Sequence, residues 1–155
     1  EQEADLVKVD ILLQGEAVAI NFIFTGCATV CPPQTALLRA ARERLGAQAR
    51  DVRFISISVD PRSDSPRELS AYAQRFGIDA NARPRWSFVT GRPQDIERLL
   101  AAFDIRAGAP QSHASMVWIG NPAAQTWTRQ SAVNTPEAIA EGLRSALRGE
   151  RQVPR

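Results

Sequence analysis

The chain has 155 residues, of which 44% are hydrophobic and 23% are charged, and its formal net charge is +2. This composition suffices for one core of ordinary size, so we expect one globular domain over residues 1–155, with its core at about 17–148 and a flexible tail at 149–155. The arginines are scattered among acidic residues and form no basic stripe, which argues against nucleic acid as a partner.

The first half of the chain predicts a strand–helix–strand–helix series. Residues 17–24 are rich in β-branched and aromatic side chains without a helical stripe, as in a strand buried on both faces. The Pro32-Pro33 pair is tolerated only at a helix start, so a helix should begin there and end at about residue 45. An alternating strand over 52–59 and a helix over about 66–76 should follow.

The second half adds a strand–helix pair, a hairpin and a last helix. The predicted elements are a strand over 86–89, a helix over 93–103, a strand over 114–119, a turn at 120–122, a hairpin strand over 125–128, and a helix over 136–147 with Thr135 as its N-cap. This order is that of a thioredoxin-like domain, an α/β fold with a central mixed sheet flanked by helices. The 86–103 segment would be a strand–helix insertion within it.

Cys27 and Cys31 are the only cysteines, and they are spaced Cys-x-x-x-Cys between the first strand and the helix that follows. Ligands and chemistry gather at the carboxyl ends of parallel strands. The helix N-terminus lowers thiol pKa values and favours thiolates, which both metals and disulfide exchange require. The pair can therefore form a redox disulfide or bind a soft metal. An inert staple is disfavoured, because closing so short a loop stabilises little.

His113 is the only histidine, and it directly precedes the strand that the topology sets beside the first one. Its imidazole should therefore reach the cysteine loop. Two thiolates and one imidazole suit Cu(I), Cu(II) or zinc, and three ligands without an obvious fourth donor favour copper over closed structural zinc. The predicted metal ligands are thus Cys27, Cys31 and His113, and we expect no other cofactor.

Several blocks, in chain order, resemble the SCO/SenC copper chaperones over roughly residues 18–119. They are Asn21-Phe22-Ile23-Phe24-Thr25-Gly26-Cys27-Ala28-Thr29-Val30-Cys31-Pro32, then Ser58-Val59-Asp60-Pro61-Arg62-Ser63-Asp64-Ser65-Pro66, then Trp86-Ser87-Phe88-Val89-Thr90-Gly91, and finally Ser112-His113. The resemblance implies a thioredoxin-like fold and copper bound by the two cysteines and the histidine. Members usually carry an aspartate just before the histidine, where this chain has Gln111-Ser112, and this departure leaves the ligands themselves in place.

The resemblance also implies a role and a location. Such a protein delivers copper to the CuA site of cytochrome c oxidase or reduces the cysteines of that site. It would lie on the periplasmic face of the inner membrane as a monomer, with a periplasmic thiol reductase and a copper donor as further partners. The chain begins at Glu1 and not at methionine, so we expect that a signal peptide or membrane anchor has been removed.

Two readings without copper remain open. In the first, the protein is a thiol–disulfide oxidoreductase in which Cys27 and Cys31 are the catalytic attacking and resolving thiols, and His113 only modulates their pKa. Redox thioredoxins, however, use a two-residue spacing and a cis-proline where this chain has the histidine. In the second, a binding module carries an incidental disulfide. A peroxidase is disfavoured, because Thr25-Gly26-Cys27 lacks the Thr-x-x-Cys arrangement.

Asp60 and Asp64 are predicted to have ordinary structural roles. Asp60 precedes a proline and should supply a turn, and Asp64 or Ser65 should open the following helix. We assign neither aspartate to catalysis. Met116, the only methionine, is predicted to be part of the strand core and not a ligand.

Overall fold

The fold is built on a strand that is buried along its whole length. The computed structural model describes residues 17–26, 31–79, 85–102, 116–131 and 134–149. The elements are β1 (Ala17–Ile23), α1 (Cys31–Leu45), a 3₁₀ turn (Gly46–Asp51), β2 (Val52–Ser58), α2 (Pro66–Arg75), β3 (Trp86–Val89), α3 (Pro93–Ala102), β4 (Met116–Asn121), β5 (Thr126–Ser131) and α4 (Pro136–Leu147). All seven residues of β1 are buried. This explains why its sequence is apolar on both faces, interrupted only by Asn21, and does not alternate.

The strands form one mixed sheet in the order β3-β2-β1-β4-β5. β1 runs parallel to β2, with Ile20 opposite Ile55, and antiparallel to β4, with Ile20 opposite Trp118. β3 adds to the outer side of β2 in the parallel sense, and β5 pairs with β4 as an antiparallel hairpin. β1 is therefore the middle strand of the sheet. The edge of the sheet is here the side at which the strand ends lie, and the two ends of β1 mark the two such edges.

Helices cover both faces of the sheet. Apolar residues of α1 and α4, including Leu38 and Leu143, pack in one cluster with Ala19 and Phe54 on one face of the sheet. α2 continues this layer, where Leu69 and Tyr72 pack against Ile23 and Phe24. On the opposite face, α3 packs Ile96 and Leu100 against Val18, Ile20 and Phe22. The alternation of the β1 side chains between two apolar clusters follows from the two-residue period of a strand.

The predicted α/β architecture is confirmed: a mixed sheet flanked by helices, with β3 and α3 as the inserted strand–helix pair. The boundaries of the hairpin were wrong. β4 continues to Asn121, beyond the predicted end at residue 119, and β5 covers Thr126–Ser131 where residues 125–128 were expected. Gly120 reads as a turn residue in the sequence but lies inside β4, where the indole of Trp127 occupies the space a side chain would take. The turn comes later and has Gln125 at a φ of +56°.

Two helix starts follow the capping rules. Ser65 is the N-cap of α2, and its hydroxyl accepts a hydrogen bond from the Glu68 amide at 3.2 Å. Thr135 caps α4 in the same way, accepting from the Ala138 amide at 3.1 Å. Each cap satisfies an amide that has no partner within the helix. Of the two residues predicted to open α2, Ser65 is thus the N-cap. The Asp64 side chain does not cap the helix and makes other contacts.

Candidate functional site

The carboxyl end of β1 and the amino ends of α1 and β4 all face the same edge of the sheet. β4 is antiparallel to β1, with Asn21 opposite Val117, so β4 begins where β1 ends. α1 must begin at this same edge, because it leads back to the start of β2, which is parallel to β1. In an open α/β sheet, this is the edge at which ligands bind.

The three predicted donors flank these element ends in the sequence. Cys31 is the first residue of α1, and its side chain is not among the described atoms. Cys27 follows Ile23, the end of β1, by four positions, and His113 precedes Met116, the start of β4, by three. Cys27 and His113 lie outside the described residues. Their union in one site therefore stays a prediction.

Within the described ranges, no group of three or more histidine, cysteine, aspartate or glutamate side chains could hold a metal ion. The only metal site that the sequence predicts is the one at this edge. Met116 lies in β4, opposite Ser131, as predicted, but it is half-buried and not part of the core.

The first turn of α1 is fixed by a chain of buried hydrogen bonds. The Gln34 side chain accepts from the Asn21 amide nitrogen at 2.6 Å, and the Asn21 oxygen accepts from the Ser56 hydroxyl at 2.6 Å. The Ser56 oxygen in turn accepts from the Trp86 indole nitrogen at 2.9 Å. The chain runs from α1 across β1 and β2 to β3, and it fixes the rotation of the helix that begins at Cys31.

A further buried hydrogen bond ties the start of α1 to α2. The hydroxyl groups of Thr35 and Tyr72 lie 2.7 Å apart, and both residues are almost wholly inaccessible to solvent. The first turn of α1 also carries no acidic side chain. Its partial positive charge is therefore not offset within the helix, which favours a thiolate at its N-terminus.

The loop that leaves β1 toward the cysteines is held by Asp64. One carboxyl oxygen accepts from the Thr25 hydroxyl at 2.5 Å, and both oxygens lie within 3.2 Å of the Thr25 amide nitrogen. The second oxygen also accepts from the Ser58 hydroxyl at 2.7 Å. Asp64 is only 1% exposed. We call Thr25, Ser58 and Asp64 the loop clamp.

Sequence reasoning missed the loop clamp. An aspartate ahead of a serine and a proline reads as a helix start, and α2 does begin there. The main partner, Thr25, lies 39 positions away in the chain. Only the pairing of β1 with β2, which brings Ile23 and Ser58 side by side, would have predicted the contact.

No helix among the residues that the structure describes is both long enough and apolar enough to cross a membrane. Within the uncharged stretch over residues 17–38, residues 17–23 form the buried strand β1 and residues 31–38 form the start of α1.

A mixed sheet whose middle strand leads into a helix beginning at a cysteine is an arrangement that suits redox or soft-metal chemistry. The family model SCO1/SenC matches residues 5–148. The match covers most of the chain, and this protein therefore belongs to the SCO1/SenC family. The resemblance seen in the sequence is confirmed.

A relative at the level of sequence supports this membership. The chain is 34% identical over 143 residues to the SCO1 protein homolog of Bacillus subtilis (strain 168), an alignment that covers 86% of this chain and 72% of the relative.

Solved structures share the fold. BsSco, described as a member of the Sco family of cytochrome c oxidase assembly proteins with a disulfide switch, aligns with a TM-score of 0.71 and 31% identity over 88% of this chain and 82% of its own. A SCO1/SenC family lipoprotein from Bacillus anthracis str. Ames gives 0.72 and 27% over 86% and 83%. The copper-bound ScoI of Bradyrhizobium japonicum gives 0.67 and 23% over 88% of each chain, a likeness of fold alone.

Proposed function

We propose that this protein binds copper through Cys27, Cys31 and His113 and serves the assembly of the CuA site of cytochrome c oxidase. It would either deliver copper to that site or reduce its cysteines. The observation that carries the proposal is the arrangement of one sheet edge, to which the end of β1 and the starts of α1 and β4 all turn. Membership of a family with copper-bound and oxidase-assembly members supports it.

The lengths of the connecting segments allow a shared site. An extended chain spans at most about 3.3–3.6 Å per residue, so His113 lies within about 11 Å of Met116 and Cys27 within about 14 Å of Ile23. The neighbouring strands that carry these segments are about 4.8 Å apart. The two segments need only converge over the edge for both side chains to meet Cys31.

The donor set fits copper. Thiolates are soft ligands that select Cu(I), and an imidazole binds both copper oxidation states. Copper is here the cargo of the protein and not a resident cofactor. A site with three donors would leave a coordination position of the copper ion open to a thiol of the client protein. The helix N-terminus at Cys31, without an acid in its first turn, supports the thiolate form that the metal needs.

Oxidation should turn copper binding off. When Cys27 and Cys31 join in a disulfide, the two thiols lose two electrons and two protons, and a co-reacting disulfide accepts both and leaves as two thiols. Neither sulfur then remains as a thiolate ligand. Copper loading should therefore require prior reduction.

A thiol–disulfide oxidoreductase is the second candidate. The disulfide switch described for BsSco favours it, and so does the position of Cys31 at a helix N-terminus. In that case Cys27 and Cys31 are the reacting thiols and the histidine only tunes them.

The proposed client is the copper-bearing subunit of cytochrome c oxidase, with a periplasmic thiol reductase and a copper donor upstream. We place the domain at the periplasmic face of the inner membrane as an anchored monomer. The existence of a lipoprotein in the family supports a membrane-attached domain.

The proposal is tested by anaerobic Cu(I) titration of the reduced protein against a chromophoric competitor. His113→Ala should weaken copper binding by about 10–100-fold or more, while the reduction of a model disulfide such as insulin stays nearly unchanged. Gln74→Ala, at an exposed position of α2, is the matched control. Equal loss of both activities would favour the oxidoreductase, and copper uptake by the fully oxidised protein would contradict the thiolate site.

A further inference from the structure

The hydrogen bonds of the loop clamp join Thr25 and Ser58 to Asp64 and include no residue of α2. The N-cap of that helix is Ser65, and the backbone amides of Ser63 and Asp64 are used within the turn, where both donate to the Asp60 carbonyl at 3.1 and 2.9 Å. The Asp64 carboxyl group points instead at the β1–α1 loop and at the end of β2. Its contacts therefore join the β1–α1 loop to the end of β2, and the capping of α2 does not explain them.

Ser58 and Asp64 of the clamp are buried, and Thr25 is half-buried. Three donors approach the two carboxyl oxygens, namely the Thr25 amide, the Thr25 hydroxyl and the Ser58 hydroxyl. Ser58 is itself fixed, because it is fully buried and its oxygen accepts from the Asp60 amide at 3.2 Å. Hydrogen bonds of this kind compensate the burial of a polar side chain, and losing one partner costs more than the bond itself contributes.

The clamp holds both the backbone and the side chain of Thr25. Only Gly26 separates this residue from Cys27 in the sequence. At the other end of the cysteine segment, Gln34 and Thr35 hold the first turn of α1. The segment that carries the two cysteines is thus anchored on both sides, by Thr25 before it and by Gln34 and Thr35 after it.

We propose that Asp64 is a positioning residue of the Cys27–Cys31 pair, which anchors the loop so that the two sulfurs are presented together. The inference rests on the proposed function, since it assigns Asp64 to the same thiol site. Disulfide formation and binding of one metal by two thiolates both require the sulfurs to be held close. Releasing the loop should therefore weaken both, in the same direction.

The test compares two isosteric swaps made in opposite senses. Asp64→Asn keeps the size of the side chain but replaces one accepting oxygen with an amide group that cannot accept. Asn121→Asp does the reverse at the far edge of the sheet, where the Asn121 amide donates to the Ala146 carbonyl at 2.8 Å. Urea unfolding of both variants measures their stability, and the thiol–disulfide equilibrium with glutathione and the Cu(I) affinity are then measured in each.

Asp64→Asn should reduce the equilibrium constant for the Cys27–Cys31 disulfide by about tenfold, a rise in potential of about 30 mV, and Cu(I) affinity by about tenfold or more. Asn121→Asp should change neither by more than about twofold, although it also destabilises the fold. Equal shifts in the two variants would overturn the proposal, because they would show only a general loss of stability. Loss of copper affinity with an unchanged disulfide equilibrium would overturn it as well, since a carboxyl group acting on the metal would explain that result.

A second pair of variants decides the matter if Asp64→Asn fails to fold. Thr25→Ser keeps the amide and the hydroxyl donors and should behave like the wild type, whereas Thr25→Val removes the hydroxyl and should shift both equilibria several-fold. Identical behaviour of these two variants would contradict the clamp. If the wild type takes up no Cu(I), the proposed copper function fails, and the disulfide equilibrium alone still decides the role of Asp64.

Discussion

Replacing Gln34 with leucine should remove one end of the buried hydrogen-bond chain that fixes α1. Gln34 is 1% exposed and its partner Asn21 is fully buried, so water cannot replace the lost acceptor. Leucine has nearly the same helix propensity and a similar size, so neither effect confuses the result. The Asn21 amide would remain buried beside an apolar side chain.

The expected cost follows from that orphaned donor. A buried polar group without a partner costs about 1–3 kcal/mol, which for a chain of this length lowers the melting temperature by about 2–12 °C. The perturbation lies on the same helix as Cys31, three positions further along the chain.

Urea unfolding followed by tryptophan fluorescence measures this cost. Gln74→Leu makes the same substitution at an exposed position of α2 and should change the free energy of unfolding by no more than about 0.5 kcal/mol. A cost for Gln34→Leu equal to that of Gln74→Leu would refute the role given to the buried chain.

Two further predictions concern the rest of the fold. Gly120→Ala should destabilise the protein by about 1–3 kcal/mol, measured by urea unfolding. The new methyl group would meet the Trp127 indole and cannot fit without a shift of the hairpin. An unchanged free energy of unfolding would contradict the close approach of β4 and β5 at this position. The hydrogen bond from Arg144 lowers the pKa of Glu137, so the contribution of this pair to stability is present above about pH 4.5 and is lost as the pH falls through the lower folded-state pKa. The carboxyl titration of Glu137, followed by NMR, should move to higher pH in Arg144→Gln, and an unchanged midpoint would show that the bond does not form in solution.

Local signals in the sequence were enough to predict most elements. α4 covers residues 136–147 as expected, because Thr135 caps it and Pro136 stands at its first turn. The run of apolar residues in β1 was long enough to predict burial on both faces. These features depend only on neighbours in the chain.

The hairpin boundaries failed for a physical reason. Gly120 was interpreted as a turn residue. It lies instead in β4, where the Trp127 indole of β5 occupies the space that a side chain at position 120 would take. In β5, half-buried residues alternate with exposed ones, so it lacks the strong apolar signal of β1. Cross-strand packing decided the outcome, and the order of residues alone does not reveal it.

The candidate site was predicted only in part. The candidate donors can be named from the sequence, because the chain has two cysteines and one histidine, and their union in one site stays a prediction. The residues that hold the surrounding segments were missed, since Asp64 and Gln34 reach partners 39 and 13 positions away. Such contacts are products of the sheet order, and a polar side chain in a sequence does not indicate which distant strand it will face.

X-ray absorption at the copper edge of the Cu(I)-loaded, fully reduced protein tests the central claim most directly. We predict a first shell of two sulfur atoms and one imidazole nitrogen, with the nitrogen lost in His113→Ala and both sulfurs retained. A shell of sulfur alone in the wild type, or one that His113→Ala leaves unchanged, would contradict a site built from Cys27, Cys31 and His113.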